Sequence, residues 1–589
     1  MESSQEPNIN SAPKLPIPGK RNVLITGALP YVNNVPHLGN LIGSVLSADV
    51  FARFCRLRGH NTLYIGGTDE YGTATEIKAV EEKLTPRQIC DKYHALHKQV
   101  YEWFDISFDK FGRTSTPTHT EVCQSVFKKL WENNLVSEDT MHQFYCENCQ
   151  RFLADRFVEG NCPEPGCGSV SARGDQCDKC EKPLNPTQLL EPRCKVCHRH
   201  SLEIRDTKHL FLELPALEER LRTYIAETET QGHWTENASK TTQKWLEELQ
   251  KRSITRDLEW GVPVPLEEYK DKVFYMWFDA PIGYVSITAC YTPEWEKWWK
   301  NPQDVELYQF MGKDNVPFHT VMFPSTLIGT DEDWTLVKGI SATEYLNYES
   351  GKFSKSKGIG VFGTDVKDTD IPAEVWRYYL LVNRPEASDT AFNWDDLQAK
   401  CNNELLKNLG NFINRVLTYL VKDPGYGSVI PDAENAELHP STQALAAKVG
   451  KCMVEYKAVM EKLKLKQGLK IAMSVSTLGN GYLQETEFWR LYEEDRTQCS
   501  IVMKTSVGLV YLLATLLEPF MPSVYAKIRK QLNLHPEEES LSLCDGDIER
   551  ASRPWELLPG GHRIGTPLPI FKQIKDNQVF GLRKRFAGS

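Results

Sequence analysis

Eight cysteines fall between residues 146 and 197, and they come in pairs: Cys146-x2-Cys149, Cys162-x4-Cys167, Cys177-x2-Cys180 and Cys194-x2-Cys197. Two thiolates separated by a tight turn face one point, and two such pairs complete a tetrahedron. Gly166 and Gly168 flank Cys167 and suit that turn. The other eight of the sixteen cysteines are scattered singly. Clustered pairs in such a chain read as metal ligands before disulfides. Four pairs imply two Zn2+ sites of four thiolates each, structural rather than catalytic because no ligand position stays open. Spacing alone leaves the pairing open: first with second and third with fourth, or inner two and outer two.

The cysteine region interrupts an α/β pattern. Residues 22–27, NVLITG, read as a short buried strand, followed by the turn-rich ALPYVNNVP. His37-Leu38-Gly39-Asn40 then opens an apolar helical pattern. Strand, loop and helix N-terminus in that order make a phosphate site, because free N–H groups point outward there. A second strand, TLYIGG, runs into Thr68-Asp69-Glu70-Tyr71-Gly72. Beyond the cysteines the pattern resumes. Residues 273–278, VFYMWF, and 307–311, LYQFM, read as buried strands, and 318–327 as a helix with Pro324 a kink point. Alternation of this kind implies a parallel sheet, here split by an insertion. From about residue 402 apolar residues recur at helical spacing and strand signals vanish, which implies a helical bundle.

Several classes are excluded. Hydrophobic residues make up 41% and charged residues 25%, an ordinary globular composition. No apolar run reaches the roughly 18–20 residues of a bilayer span; the longest, 506–517, reads as a buried helix. The first twenty residues lack an apolar core and read as a disordered leader, so the expected location is the cytosol and no membrane partner is expected. Net charge is −10, so nucleic-acid binding must use local basic patches such as 448–470 or 571–589. There is no P-loop: Gly351-Lys352 lacks both the upstream glycine and the following Ser/Thr.

Two segments then combine. His37-Leu38-Gly39-Asn40 and, far downstream, Lys352-Phe353-Ser354-Lys355-Ser356 resemble the two signatures of class I aminoacyl-tRNA synthetases. Ala28-Leu29-Pro30-Tyr31, the run from Trp277 through Tyr284, and Gly312-Lys313-Asp314 through His319 resemble the methionyl-tRNA synthetases, of eukaryotic cytosolic type. The resemblance covers residues 20–560. Two departures stand out: Asn40 replaces the last His of the first signature and Phe353 the Met of the second.

The resemblance implies a Rossmann-like catalytic domain (21–133 and 241–340) split by a zinc-knuckle insertion (134–240). After it would come a loop and stem-contact region (341–400), a helical anticodon-binding domain (401–560) and a tail (561–589). The implied zinc pairing is nested: Cys162, Cys167, Cys177 and Cys180 on one ion, and Cys146, Cys149, Cys194 and Cys197 on the other. The implied activity is ATP-dependent ligation of L-methionine to methionine tRNA, initiator and elongator, through methionyl-adenylate, with Mg2+ accompanying ATP. By the same resemblance, His37, Asn40, Lys352 and Lys355 stabilise the transferring phosphates, and Gly39, Asp314, Ser354 and Ser356 complete the ATP site. Asp69 takes the substrate ammonium. Ala28, Leu29, Tyr31, Trp277, Ala280, Pro281, Tyr284 and His319 form the methionine pocket, aromatic because a thioether favours such contacts. Asn411 and Arg415, four residues apart on one helix face, and Trp489 read the anticodon. Membership of a multi-synthetase or other cytosolic complex is left open. Two rivals remain: a synthetase for another aliphatic amino acid or cysteine, and a catalytically silent RNA-binding protein.

Overall fold

The computed structural model describes residues 12–174, 177, 179–180, 182, 184–349, 351, 353, 358–422, 425–535 and 541–588. The chain forms two compact units that cut across its linear order. The first comprises Met1–Val35, Leu63–Gln99 and Phe108–Ala342; the second comprises Pro36–Thr62, Val100–Ser107 and Thr343–Ser589.

The first unit is built on a five-stranded sheet. Its strands are β1 (Asn22–Gly27), β2 (Asn61–Thr68), β3 (Lys110–Arg113), β4 (Val305–Gly312) and β5 (Val337–Thr343), in the order β5-β4-β1-β2-β3. β1 pairs in parallel with β4, and β2 with β3. β1 is buried along its whole length, as its uninterrupted apolar run requires. The strand order reverses between β1 and β4, which opens a crevice at their C-terminal ends. The residues that follow these ends are Ala28–Tyr31 and Lys313–Asp314, both singled out in the sequence.

The insertion is an antiparallel ribbon. Val136–Cys146 pairs with Glu203–Leu212 over nearly its full length. One outer cysteine pair therefore sits at the end of the outgoing strand and the other just before the returning strand, so the two are brought face to face. The inner pairs lie further along the excursion. This ribbon is the physical reason for nested pairing.

The sequence reading needs correction at two places in this unit. Residues 273–278 are not one strand. Val273–Phe274 forms a short strand, and a helix runs from Met276 to Tyr291. A short apolar run buried on all sides cannot be assigned by periodicity, because nothing alternates. Residues 12–20, read as leader, are held: the Lys14 ammonium meets Asp109 at 2.6 Å and Trp298 Nε1 donates to the Lys14 carbonyl at 2.9 Å. Residues 318–327 are helical as expected, and the helix begins as a π-turn, Phe318–Met322. Pro324 enters just after it. Proline lacks the N–H that an α-turn would use, and a widened turn accommodates that loss.

The second unit contains the His37 segment and the helical bundle. The helix opened at Leu38 continues through another π-turn, Leu41–Val45, into Leu46–Leu57. Arg377 is fully buried and ties this helix to the bundle. Its guanidinium reaches Asp49 at 2.8 Å and the carbonyls of Pro519 and Phe520 at 2.9 and 2.7 Å. Those carbonyls lie just past the helix Arg496–Leu517, whose second half is the apolar run noted above. With its first turns included, that helix is long and apolar enough for a bilayer span by length and composition, as is Leu38–Leu57; both are mostly buried in protein. The tail is docked: a helix spans Asp576–Arg585, Phe586 stacks on Trp394 at 6.0 Å, and Arg583 pairs with Asp395 at 2.6 Å.

Candidate functional site

In the first unit, the chain leaving β2 places Asp69 against the loop that leaves β1. Asp69 N–H donates to the Pro30 carbonyl at 2.9 Å, and Val32 N–H donates to the Asp69 carbonyl at 3.3 Å. The backbone is thus fully engaged while the side chain is not. Asp69 is buried, and its Oδ1 has no hydrogen-bond partner among the described residues. Burial pushes its carboxyl well above the usual range, Asp279 and Glu70 add to the shift, and a backbone N–H of Tyr71 only partly opposes it. A buried carboxylate with an unused lone pair is costly unless a cation completes it.

The helix Met276–Tyr291 carries the next group. Tyr284 Oη lies 2.7 Å from His319 Nε2, and His319 Nδ1 lies 2.7 Å from the Asn315 carbonyl. A carbonyl only accepts, so Nδ1 carries the proton and Nε2 accepts from the tyrosine hydroxyl. Burial lowers the His319 pKa to about 4, which keeps the imidazole neutral. Burial pushes the Tyr284 phenol well up, which the Leu29 backbone N–H partly opposes. This hydroxyl therefore stays protonated and available to His319. Trp277 is half-buried among Tyr275, Phe318 and Trp245, with ring centroids at 5.2, 5.0 and 6.4 Å. Pro281 is buried, while Ala280 and Ala28 are partly exposed, as is Tyr31, which lies under the Arg156 guanidinium at 5.7 Å. Asp314 is exposed in the turn after β4.

In the second unit, His37 is the N-cap of its helix. Its Nδ1 accepts from Gly39 N–H at 3.1 Å, and Asn40 Oδ1 accepts from His37 N–H at 3.1 Å, a reciprocal capping box. Because Nδ1 accepts, Nε2 carries the proton and is a donor. Burial lowers this histidine to about 4, so it acts as a neutral donor rather than as a charge. Asn40 keeps its amide N–H2 out of the cap and is exposed. Phe353 stacks on the His37 ring at 5.2 Å with 12° between planes, so the apolar replacement packs as its chemistry requires. Gly39 is needed here: a Cβ would stand 2.8 Å from His37 Cε1. Lys352, Ser354, Lys355 and Ser356 lie outside the described residues.

The eight cysteines form two tetrads, Cys146, Cys149, Cys194 and Cys197, and Cys162, Cys167, Cys177 and Cys180. Within each, all four sulfurs lie within 4.8 Å of one another. Closest pairs are Cys146–Cys197 at 3.6 Å, Cys149–Cys194 at 3.8 Å, and Cys162–Cys180 and Cys167–Cys177 at 3.7 Å. Four sulfurs at the Zn–S bond length around a tetrahedral centre stand about 3.8 Å apart. The donor set and its spacing fit the ion. Burial resists ionisation of Cys177 and Cys197. Backbone N–H groups and neighbouring thiols outweigh it, bringing them down to about 6 and about 7.

On the bundle, Asn411 is exposed at the start of the helix Asn411–Val421. Arg415, one turn on, lies over the Phe488 ring at 5.9 Å. Trp489 meets the same ring edge-on at 5.3 Å and is 39% exposed. Arg415 and Trp489 thus gather around one buried phenyl ring, one helical turn from Asn411, with the indole open to solvent.

Comparison with known proteins decides the family. Residues 23–417 match the model described as tRNA synthetases class I (M), and residues 430–589 match that of the anticodon binding domain of methionyl tRNA ligase. A relative from Arabidopsis thaliana, named as cytoplasmic methionine–tRNA ligase, is 67% identical over 98% of this chain and 73% of its own length. The chain belongs to the methionyl-tRNA synthetases.

A human synthetase, also named as cytoplasmic, is 52% identical over 98% of this chain and 63% of its own length. A Mycobacterium tuberculosis methionyl-tRNA synthetase, solved in complex with methionyl-adenylate, shares the fold at a TM-score of 0.75. It is 21% identical over 94% of this chain and 99% of its own. Sequence reasoning on this synthetase missed one residue of the cluster around Asp69. Asp279 is fully buried, and neither carboxylate oxygen has a hydrogen bond among the described residues. The signal was present: it is the one charged residue in an otherwise apolar helix.

Proposed function

We propose that the residues above divide the family's two-step reaction between them. The chain ligates L-methionine to methionine tRNA. In the first step the methionine carboxylate attacks the α-phosphate of ATP, forming methionyl-adenylate and releasing pyrophosphate. In the second, the terminal ribose hydroxyl of the tRNA attacks the acyl carbon and AMP leaves. No protein nucleophile is needed; positioning and charge stabilisation carry the chemistry.

The observation that supports this division best is the buried carboxylate of Asp69, whose Oδ1 has no hydrogen-bond partner among the described residues. An α-ammonium completes it. Tyr284, His319 and Trp277 then enclose the thioether, with Ala28, Leu29, Tyr31, Ala280 and Pro281 shaping the walls. His37 Nε2–H and the Asn40 amide donate to phosphate oxygens, Lys352 and Lys355 neutralise the leaving pyrophosphate, and Gly39, Asp314, Ser354 and Ser356 complete the ATP contacts. Mg2+ accompanies ATP. The two tetrads would each hold a Zn2+ as a structural tie. Asn411, Arg415 and Trp489 contact the anticodon, the indole by stacking on a base. The site of action is the cytoplasm.

Amino-acid-dependent ATP–pyrophosphate exchange tests the reading. Exchange is expected with methionine and not with leucine, isoleucine, valine or cysteine. Absence of exchange from folded, zinc-loaded protein would leave only the RNA-binding alternative.

A further inference from the structure

The tail reaches the His37 donor through a short stretch of backbone that pairs with both. At one end of this stretch, Ile359 and Ala587 form an antiparallel bridge, and Gly360 N–H donates to the Phe586 carbonyl at 3.0 Å. At the other end, Phe362 bridges His37, and Gly363 N–H donates to the Pro36 carbonyl at 2.7 Å. Residues 359–363 are thus hydrogen-bonded to the tail at one end and to the chain entering the His37 cap at the other.

Side chains add a second connection. Phe586 is buried and stacks on Trp394 with 21° between planes. Trp394 Nε1 donates to Tyr348 Oη at 2.8 Å, and the Tyr348 ring meets Phe353 at 5.5 Å. Phe353 is the ring that stacks on His37. Phe362 meets both rings edge-on, at 6.1 and 6.5 Å. The two connections converge at Gly360. Its φ of +103° suits glycine, and a Cβ there would stand 2.4 Å from Phe353 Cδ1. Backbone held by the tail therefore lies directly against the Phe353 ring.

Two basic side chains of the tail are engaged in this docking. Arg583 pairs with Asp395 at 2.6 Å and with Glu349 at 3.8 Å. Arg585 pairs with Asp368 at 3.6 Å and donates to its carbonyl at 3.1 Å. The tail is consequently anchored on both sides of Phe353 in sequence, to Glu349 before it and to Ile359 and Gly360 after it. His37 is neutral, so what it offers a developing phosphate charge is a single N–H, whose worth depends on where it points.

We infer that Phe586 and Ala587 are positioning residues for adenylate formation: they hold Gly360 and Phe353, and these hold the His37 Nε2–H on the transferring phosphate. The inference rests on the reading that His37 serves the phosphates.

The test is methionine-dependent pyrophosphate exchange by the full, zinc-loaded chain, with rates expressed per active site after titration of the adenylate burst. Phe586→Leu keeps apolar bulk and loses the stack. Its kcat per site is expected to fall about tenfold with the KM for methionine unchanged. Phe586→Tyr keeps the ring and is expected to restore the rate. A variant that merely loosened the fold would lower Tm and the number of active sites, not the rate per site. Arg583→Gln alters a half-exposed side chain and carries the test should Phe586→Leu not fold; a fall of about twofold or more in kcat per site is expected. The route is tested by adding Phe353→Leu. Because both changes act on one ring, the double variant should fall little further than Phe353→Leu alone. Wild-type kcat per site in the tail variants, or full multiplication of the two separate losses, overturns the inference. If His37→Ala exchanges at the wild-type rate, the phosphate reading itself fails and the inference falls with it.

Discussion

Tyr284 Oη donates to His319 Nε2 across 2.7 Å. Removing this one hydroxyl leaves a buried nitrogen unpaired, at a cost of about 1–3 kcal/mol. Tyr284→Phe is therefore expected to raise the KM for methionine about tenfold or more in pyrophosphate exchange, with a smaller change in kcat.

His319 makes the fold acid-sensitive. Its pKa is lowered in the folded state to about 4 by burial, from an ordinary value of 6.5. A lowered histidine stabilises the fold above the unfolded pKa, and that stability is lost as pH falls from about 6.5 toward about 4. The full effect is at most about 3 kcal/mol. His319→Gln should flatten the fall of Tm across this window relative to wild type. An unchanged slope would mean that the ring is charged or exposed.

At Gly39 a methyl group has no room beside the His37 ring. Gly39→Ala should turn that ring away, break its cap bond and misplace its donor nitrogen. Loss of one well-placed donor to a developing anion costs about 100-fold in rate. Exchange kinetics should show that loss in kcat with the KM for methionine little changed, while Tm falls by the modest amount of a lost cap.

Much of this was legible beforehand, and the reasons differ by element. The β1 strand, the β4 strand and the knuckle cysteines have local signatures, since an apolar run bounded by glycine or a Cys-x2-Cys pair needs no tertiary context. The nested tetrads did not follow from spacing. They depend on a ribbon, Val136–Cys146 against Glu203–Leu212, that joins residues far apart in sequence. The helix Met276–Tyr291 was half misread because it is apolar on every face. Asp279, the one charged residue of that helix, was visible in the sequence, but its complete burial was not, because burial is a tertiary property. The cap at His37 was written in its sequence position, but its neutrality was not, because burial is a tertiary property.

Metal removal should act on the ribbon's tip. Elemental analysis is expected to find two Zn2+ per chain. Stripping them leaves eight thiols at 3.6–3.8 Å contacts with nothing to bind them together. Limited proteolysis should then cut within 146–197 while the rest of the chain persists.

On the bundle, Trp489 is 39% exposed and packs by one edge. Trp489→Ala should leave Tm nearly unchanged. A lost base stack of about 1–3 kcal/mol should lower kcat/KM for tRNA charging about 10–100-fold. Exchange without tRNA should be unaffected; a parallel loss there would make Trp489 a core residue.

Asp69 carries the central claim, and its isosteric amide tests it most directly. A carboxyl raised in the folded state contributes stability below the unfolded pKa, and this is lost as pH rises through the folded value. At pH 7 its ionisation opposes folding, and Asp69→Asn removes that opposition. The measurement is methionine-dependent pyrophosphate exchange of Asp69→Asn, with Tm recorded alongside. A higher Tm together with a fall in kcat/KM for methionine of about 100-fold or more is the expected result. Exchange at the wild-type rate and KM would contradict the account.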